Sequence, residues 1–228
     1  MNSGCILCFL LPSAAHAQNP TTTLLIGTDI PYQYSIGTEV KIKNVRFSLR
    51  TGLLVDPYSE LTLKLLQAFG TDETYIRLLE ASYQFGTMNG IGAQYLFGKD
   101  KHWYVGPEFR FDYVTASDTS SDLINTVIGD TRSLPPRFGN QEQEVRLGLW
   151  MLAAGIRTGR TIPFGNSENH HLHVELSFYK HYKIQTLLSV NDQQNEGVSE
   201  ALDELLWEDV FQPYGYLGGF GLTYSYSL

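Results

Sequence analysis

Charged and histidine side chains recur at every second position along several β-rich segments, and they are the residues in this chain that could do chemistry. His173 shares a strand face with Glu175, and His181 shares one with Lys183, because alternate residues of a strand point to the same side. Such groups can transfer protons or bind metal ions. The residues on this parity are Glu39, Lys41, Arg46, Arg50, Glu108, Arg110, Asp112, His173, Glu175, His181 and Lys183.

No local motif supports catalysis by this set. A lipid-hydrolysing enzyme needs a positioned serine and histidine, and the strings around 170–173 and 180–182 contain no His-x-Ser pair. His170, His171 and His173 could contact a metal ion, but no fourth ligand is in view. A glycine-rich phosphate loop between a strand and a helix is also absent from the sequence. We therefore predict no catalytic residue, metal site or cofactor, and interpret the set as a polar network inside a barrel.

Composition indicates a single all-β domain. The chain has 228 residues with 21 Gly, 14 Tyr and 12 Phe, and only 18% of its residues are charged. Its formal net charge of -8 excludes nucleic acid as an expected partner, because phosphate binding requires a basic surface.

The N-terminal segment has the features of an export signal. A short apolar run is followed by Ala15-His16-Ala17, a small-x-small pattern that precedes Gln18. The run lacks a preceding Lys or Arg, and it is too short to span a bilayer. We expect residues 1–17 to be a cleaved signal peptide and residues 18–228 to form the mature domain, which would contain no cysteine because Cys5 and Cys8 lie in the signal.

Alternation of large apolar with small or polar residues predicts the strands. It is clearest in 214–228, where Tyr, Phe and Leu occupy one parity and Gly, Thr and Ser occupy most of the other. The predicted strands are 21–28, 32–42, 45–54, 88–97, 103–113, 144–158, 171–184 and 214–228. Short and long connections alternate between them, which is typical of outer-membrane barrels.

The charged parity decides how the strands face. In a soluble barrel one apolar face would point inward and could hold a ligand, but the Tyr and Phe ladders of this chain would then have to be exposed to water. Charges of both signs can instead pair inside a narrow eight-stranded barrel, with the aromatic ladders facing lipid. We predict an eight-stranded antiparallel up-and-down transmembrane β-barrel. Its expected lipid-facing aromatics are Tyr32, Tyr34, Phe47, Trp103, Phe109, Phe111, Phe178, Tyr214, Tyr216, Phe220, Tyr224 and Tyr226.

Short amphipathic helices are predicted in the long, extracellular loops. Asp56, Asp72 and Ser199 can begin helices, and Gly70 can end the first one. The expected apolar faces contain Leu61, Leu65, Phe69, Ile76, Leu79, Leu123, Ile124, Val127, Leu202, Leu205 and Leu206. Helices this short need burial to be stable, so we hypothesise a lid over the outer mouth. Flexible loops and a docking surface for a partner protein are the alternatives.

The chain resembles small outer-membrane β-barrel proteins of Gram-negative bacteria. The signal, the alternating strands and the final Tyr-x-Tyr-x-Leu carry the resemblance, although such barrels usually end in an aromatic residue and this chain ends in Leu228. Segments 26–31 and 68–73 are similar to uncharacterised Bacteroidota barrels. The resemblance implies contact with outer-membrane lipid and lipopolysaccharide, and with the barrel-assembly machinery during insertion.

Three functions stay open at the level of sequence. The leading one is a structural or protein-interaction barrel that displays helical loops, alone or as a subunit of a larger complex with other outer-membrane proteins. The second is a narrow pore for ions or small solutes. The third is an outer-membrane lipid-modifying enzyme.

Overall fold

In the computed structural model, nine strands make up the sheet within the described part of the chain. The structure describes residues 20–82, 85–116, 145–164, 169–190, 193–194 and 196–228. The strands are β1 (Thr21–Ile30), β2 (Gln33–Ile42), β3 (Val45–Leu54), β4 (Phe85–Phe97), β5 (Trp103–Ala116), β6 (Val145–Pro163), β7 (His170–Val190), β8 (Gln193–Gln194) and β9 (Tyr216–Ser227).

Eight of these strands close into a barrel. Neighbours pair in the order β6-β5-β4-β3-β2-β1-β9-β7, and an additional β6–β7 pairing completes the ring. All of the pairings are antiparallel, and β9 pairs with β1 so that Ser227 lies opposite Thr23. The two-residue β8 pairs with the end of β7 and lies outside the ring. The predicted eight-stranded antiparallel barrel is confirmed, as is the expected pairing of the last strand with the first.

Strand alternation sorts the side chains as a barrel wall requires. In β3, Phe47 and Leu49 are about half exposed, whereas Arg46, Ser48 and Arg50 are buried. We call the barrel end beside the Lys43–Asn44 hairpin the turn end, and the opposite end, beside the helices, the helix end.

A β-bulge changes which residues of β7 point into the barrel near the helix end. Ala153 pairs with His181 while Leu152 pairs with Lys183, so Tyr182 is an extra residue on β7. Beyond this point the parity reverses: Lys183 is exposed on the outer surface and Ile184 is buried inside. The prediction that Lys183 belongs to the interior network was wrong, because strict alternation cannot anticipate an inserted residue.

Helices occupy the connections at the helix end. They are α1 (Tyr58–Ala68), α2 (Glu73–Ser82), α3 (Glu196–Leu206) and α4 (Gln212–Tyr214), with a π-helical turn at Trp207–Phe211. Gly70 ends α1 with a φ of 101°, and the Asp72 carboxylate accepts the Thr74 N–H before α2. Among the helices of the described residues, none combines the length and the apolar character needed to cross a membrane.

An apolar cluster joins the helices to the upper part of the barrel interior. It combines Ile76 and Leu79 of α2 and Leu202 and Leu206 of α3 with inward-facing strand residues such as Leu149. Leu205 is partly buried against the same cluster. The described helices therefore cap the barrel, in agreement with the lid hypothesis. Leu123, Ile124 and Val127 lie outside the described residues, so that part of the hypothesis stays a prediction.

Helix α1 buries a different face from the one expected. Leu63 and Leu66 are buried in the cluster, whereas Leu61, Leu65 and Phe69 are exposed. The expectation that these three residues would form the buried face was wrong. The sequence offers two apolar sides on this helix, and tertiary packing selects the one that reaches the cap.

Two of the expected lipid-facing aromatics lie elsewhere. Tyr32 belongs to the β1–β2 turn and is fully buried, and its hydroxyl donates a hydrogen bond to the Gly218 carbonyl at 2.6 Å. Tyr214 lies in the helical turn α4 and is partly buried against the apolar cluster. Both residues flank strand ends, where the alternating pattern of the sequence continues past the last ladder hydrogen bond.

Candidate functional site

The guanidinium of Arg157 is the centre of the polar interior. It donates hydrogen bonds to Asp29 at 2.9 Å, to Glu108 at 2.5 Å and to Glu175 at 2.9 Å. These carboxylates come from β1, β5 and β7, so a single side chain of β6 connects four strands. Tyr179 accepts a hydrogen bond from Arg157 at 2.9 Å and donates one to Glu108 at 2.7 Å.

A second arginine joins opposite walls of the barrel. Arg50 donates two hydrogen bonds to the Glu175 carboxylate, at 2.6 and 2.7 Å, in the bidentate geometry that favours strong ion pairs. Strands β3 and β7 are four positions apart in either direction around the ring, so this pair spans the barrel diameter. The Tyr104 hydroxyl donates to Glu175 at 2.6 Å.

Nearer the turn end, Arg46 organises a smaller group. Its Nη1 lies 3.2 Å from Glu39 and 3.3 Å from His173 Nδ1, and its guanidinium stacks 3.6 Å from the centre of the Tyr104 ring. The His173 Nε2 lies 2.8 Å from the Ser225 hydroxyl. His173 therefore has partners on both nitrogens, which favours a structural role over proton transfer.

Nearer the helix end, Arg110 forms the upper boundary of the network. It pairs with Asp112 at 3.1 Å and lies over the rings of Tyr32 and Tyr179, at 5.1 and 4.7 Å. Toward the helix end most of the inward-facing residues are apolar, among them Met88, whose sulfur lies 2.8 Å from the guanidinium.

Inward-facing glycines make room for these long side chains. A Cβ at Gly221 would lie 2.7 Å from Asp29 Oδ1, and a Cβ at Gly159 would lie 2.5 Å from the Tyr104 hydroxyl. A larger residue at either position would occupy space that the network fills. The small, polar parity of the strands is therefore the complement of the arginines and carboxylates on their neighbours.

Most of the predicted interior residues come together in this network. The structure buries Glu39, Arg46, Arg50, Glu108, Arg110, Asp112, His173, Glu175 and His181 inside the barrel. Lys41 has the inward parity, but its side chain is exposed at the turn end. His181 is buried near Arg110 in the strand register, and its Nδ1 is 3.2 Å from the Gly215 carbonyl.

Sequence reasoning missed Asp29 and Arg157, which have central positions in the network. Asp29 falls just beyond the predicted strand 21–28, although β1 continues through Ile30 and keeps the inward parity of Leu25 and Gly27. Arg157 lies in a segment whose two faces appear mixed, because the inward residues of β6 change from apolar to polar along its length. Gly155 and Gly159 on the same parity were the signal that this part of β6 faces a crowded interior.

The histidines considered as metal ligands, His170, His171 and His173, do not converge on one point. His171 and His173 line an open recess of about 330 Å³, whereas the His170 ring packs against Tyr224 and Tyr226 of the outer surface. Across the described ranges, no group of three or more His, Cys, Asp or Glu residues is placed to hold a metal ion.

Two acidic contacts link the cap to itself and to the barrel. Burial raises the pKa of Tyr75 to about 12, and the hydrogen bond from this phenol to the Asp209 carboxylate adds to the shift. Burial also raises the pKa of Asp203, whose carboxylate accepts the Thr186 N–H of β7. These contacts hold α2 against the π-helical turn and α3 against the wall.

Comparison with known proteins finds likeness in structure alone. No family model matches the chain, and no curated protein matches its sequence. Among solved structures, CarO of Acinetobacter baumannii is 14% identical, with 91% of this chain and 97% of that chain covered and a TM-score of 0.39. A major outer membrane protein from Thermus thermophilus is also 14% identical, with 92% of this chain and 100% of that chain covered and a TM-score of 0.48. The fold assignment rests on the strand pairing of this chain, because likeness at this level carries no further conclusion.

Proposed function

We propose that this chain is an integral outer-membrane β-barrel with a structural or protein-interaction role, which presents its helical cap on the outer face. The observation that supports the location is the band of large apolar side chains on the outside of every barrel strand. One member of this band from each strand is Ile26, Ile36, Leu49, Ile91, Phe109, Ile156, Leu176 and Phe220. Seven of these side chains are 53% to 59% exposed, and an apolar surface this continuous needs lipid around it.

The filled interior supports an anchoring role over that of a pore. Arg50 and Glu175 meet across the barrel diameter, and Arg157 links Glu175 to two further carboxylates, Asp29 and Glu108. Water or ions passing through would have to break ion pairs in which every partner is buried, and such pairs are costly to separate. We expect the barrel to be closed to solutes at this layer.

Extraction and gel mobility test the location. Membranes from cells that express the full chain should retain the protein after carbonate washing. The unheated protein should migrate differently from the boiled protein in a gel, because barrels stay folded in detergent. Recovery of the protein in the soluble fraction would contradict the proposal.

Conductance separates the anchoring role from the pore. In planar bilayers the purified protein should show no stable single-channel steps. The matched control is the Arg157→Gly variant with Glu108→Gln, which opens space at the ion-pair layer and removes one of the carboxylates. Stable steps from the unaltered protein would favour the pore in place of the anchoring role.

The remaining parts of the proposal follow from the sequence. The proposal includes removal of residues 1–17 on export and insertion by the barrel-assembly machinery. It also includes contact with lipopolysaccharide and assembly with other outer-membrane proteins. Kinship with Bacteroidota barrels also rests on sequence resemblance alone. N-terminal sequencing of the mature protein, expected to begin at Gln18, tests the first of these.

A further inference from the structure

An apolar stripe runs the length of α1, and most of it is exposed. Tyr58, Leu61, Leu65 and Phe69 are spaced three and four residues apart, so they lie along one side of the helix and its capping residue. Leu61 and Leu65 are 39% and 37% exposed, and Phe69 is 59% exposed. Tyr58, at the start of the stripe, is only 7% exposed and belongs to the same apolar cluster as the buried Leu63 and Leu66, so the exposed part of the stripe is Leu61, Leu65 and Phe69.

The first residue of the stripe lies on the outside of the barrel wall. The Tyr58 hydroxyl is 2.5 Å from the Thr28 hydroxyl, and its ring centre is 4.8 Å from that of Tyr34. Thr28 and Tyr34 are cross-strand neighbours on β1 and β2, and both have the outward parity of Ile26 and Ile36. Helix α1 therefore begins against the surface that the apolar band occupies.

Other contacts orient the rest of the helix. Thr62 donates a hydrogen bond to the Pro31 carbonyl at 3.1 Å, which places α1 along the β1–β2 turn at the rim. Its polar side carries the exposed ion pair of Lys64 with Glu60, at 2.6 Å, together with Gln67. Around the helix axis the order is therefore the buried side, then the Tyr58 stripe next to the wall, then the polar side.

We propose that α1 is an interfacial helix whose exposed residues Leu61, Leu65 and Phe69 lie in the headgroup and upper acyl region of the surrounding leaflet. This inference rests on the proposed membrane location and adds a lipid contact outside the barrel wall. The occupant is lipid because the stripe is continuous, through Tyr58 and Tyr34, with the outward face of the strands. An amphipathic helix with one apolar and one charged side is suited to that depth.

Site-directed spin labelling tests the inference, because the sequence has no cysteine after Cys8. Single variants Leu65→Cys, Gln67→Cys and Leu49→Cys carry the label in vesicles of outer-membrane lipid. Collision with oxygen reports lipid exposure, and collision with a water-soluble nickel chelate reports water exposure. Leu49 is the barrel-wall reference, and Gln67 is the matched control on the polar side of α1.

The expected result is an oxygen-to-nickel collision ratio several-fold higher at Leu65 than at Gln67, and highest at Leu49. A label at Leu65 that collides with nickel as readily as the one at Gln67 would overturn the inference, as would one shielded from both reagents, which indicates a protein partner or a second copy. High nickel collision at Leu49 would instead contradict the membrane location itself. Leu61→Cys repeats the measurement if the Leu65 variant loses heat-modifiable mobility.

Discussion

The inward-facing side chains of the barrel strands are charged in one half of the interior and apolar in the other. Toward the turn end the positions hold arginines and carboxylates, with Arg157 and Glu175 at the centre. Toward the helix end they hold residues such as Leu149, Met151 and Leu188. A strand such as β6 passes from one chemistry to the other without changing its parity.

The difference follows from what lies across the lumen. In the half nearer the turn end, inward side chains face other strands. The barrel is narrow enough there for charges to pair across it. In the half nearer the helix end, apolar side chains of α2 and α3 pack against the strands, so burial of apolar surface provides the stabilisation. One barrel thus contains an ion-pair core near the turn end and a hydrophobic core near the helix end.

The largest test of this comparison is removal of the central cation. The variant Arg157→Met leaves Asp29, Glu108 and Glu175 buried with one counter-charge fewer, and we expect a loss of about 3–5 kcal/mol in the free energy of unfolding. Urea unfolding in detergent, followed by heat-modifiable mobility, measures it. Arg157→Lys should lose less, since it keeps the charge and loses the planar fork. A variant as stable as the parent would show that the ion-pair core does not depend on this residue.

A smaller effect is expected from the hydrophobic core near the helix end. The variant Leu202→Ala removes a fully buried side chain of α3 and should cost about 3 kcal/mol. Because ion pairs stabilise the turn-end half separately, the loss should appear as faster amide exchange in α3, with little change in the turn-end parts of the strands. Equal acceleration throughout the barrel would mean that the two halves unfold as one unit.

The contact of α3 with β7 should depend on pH. Burial raises the pKa of Asp203 above its ordinary value of 3.8; the hydrogen bond from Thr186 and the charge of Lys183 oppose this shift, and Glu200 adds to it. The docked helix therefore binds the proton more tightly than the undocked one, so docking strengthens as pH falls through the raised pKa and stops changing below 3.8. Exchange of the Thr186 amide, compared at each pH with that of Asp203→Asn, measures the effect. The same pH dependence in both proteins would exclude Asp203 as its source.

The smallest effect is expected at the surface of the cap. Arg77 pairs with Glu73 at 2.6 Å on α2, and both side chains are largely exposed. The variant Arg77→Ala should change the free energy of unfolding by less than about 1 kcal/mol, because solvent screens the pair. The same denaturation assay compares it with Arg157→Met. A loss similar to that of Arg157→Met would mean that burial does not explain the larger contribution of the interior pairs to the free energy of unfolding.

The sequence by itself determined the barrel, the outward band and most of the polar interior. Period-two alternation is a local property of the chain, and short alternating with long connections sets the topology. Arg46, Arg50, Glu108 and Glu175 could therefore be assigned to the interior from parity alone. Residues such as Phe47 could be assigned to the outer surface in the same way.

Tertiary structure decided the features that depend on register and on distant neighbours. The bulge at Tyr182 turned Lys183 outward and Ile184 inward, which parity cannot anticipate. Arg157 became the centre of the network because carboxylates of three other strands converge on it. Packing of the cap also chose which side of α1 to bury and left Leu61 and Leu65 exposed. The physical reason is common to all of these: alternation assigns a side chain to a face, whereas its partners are set by chain segments far away in sequence.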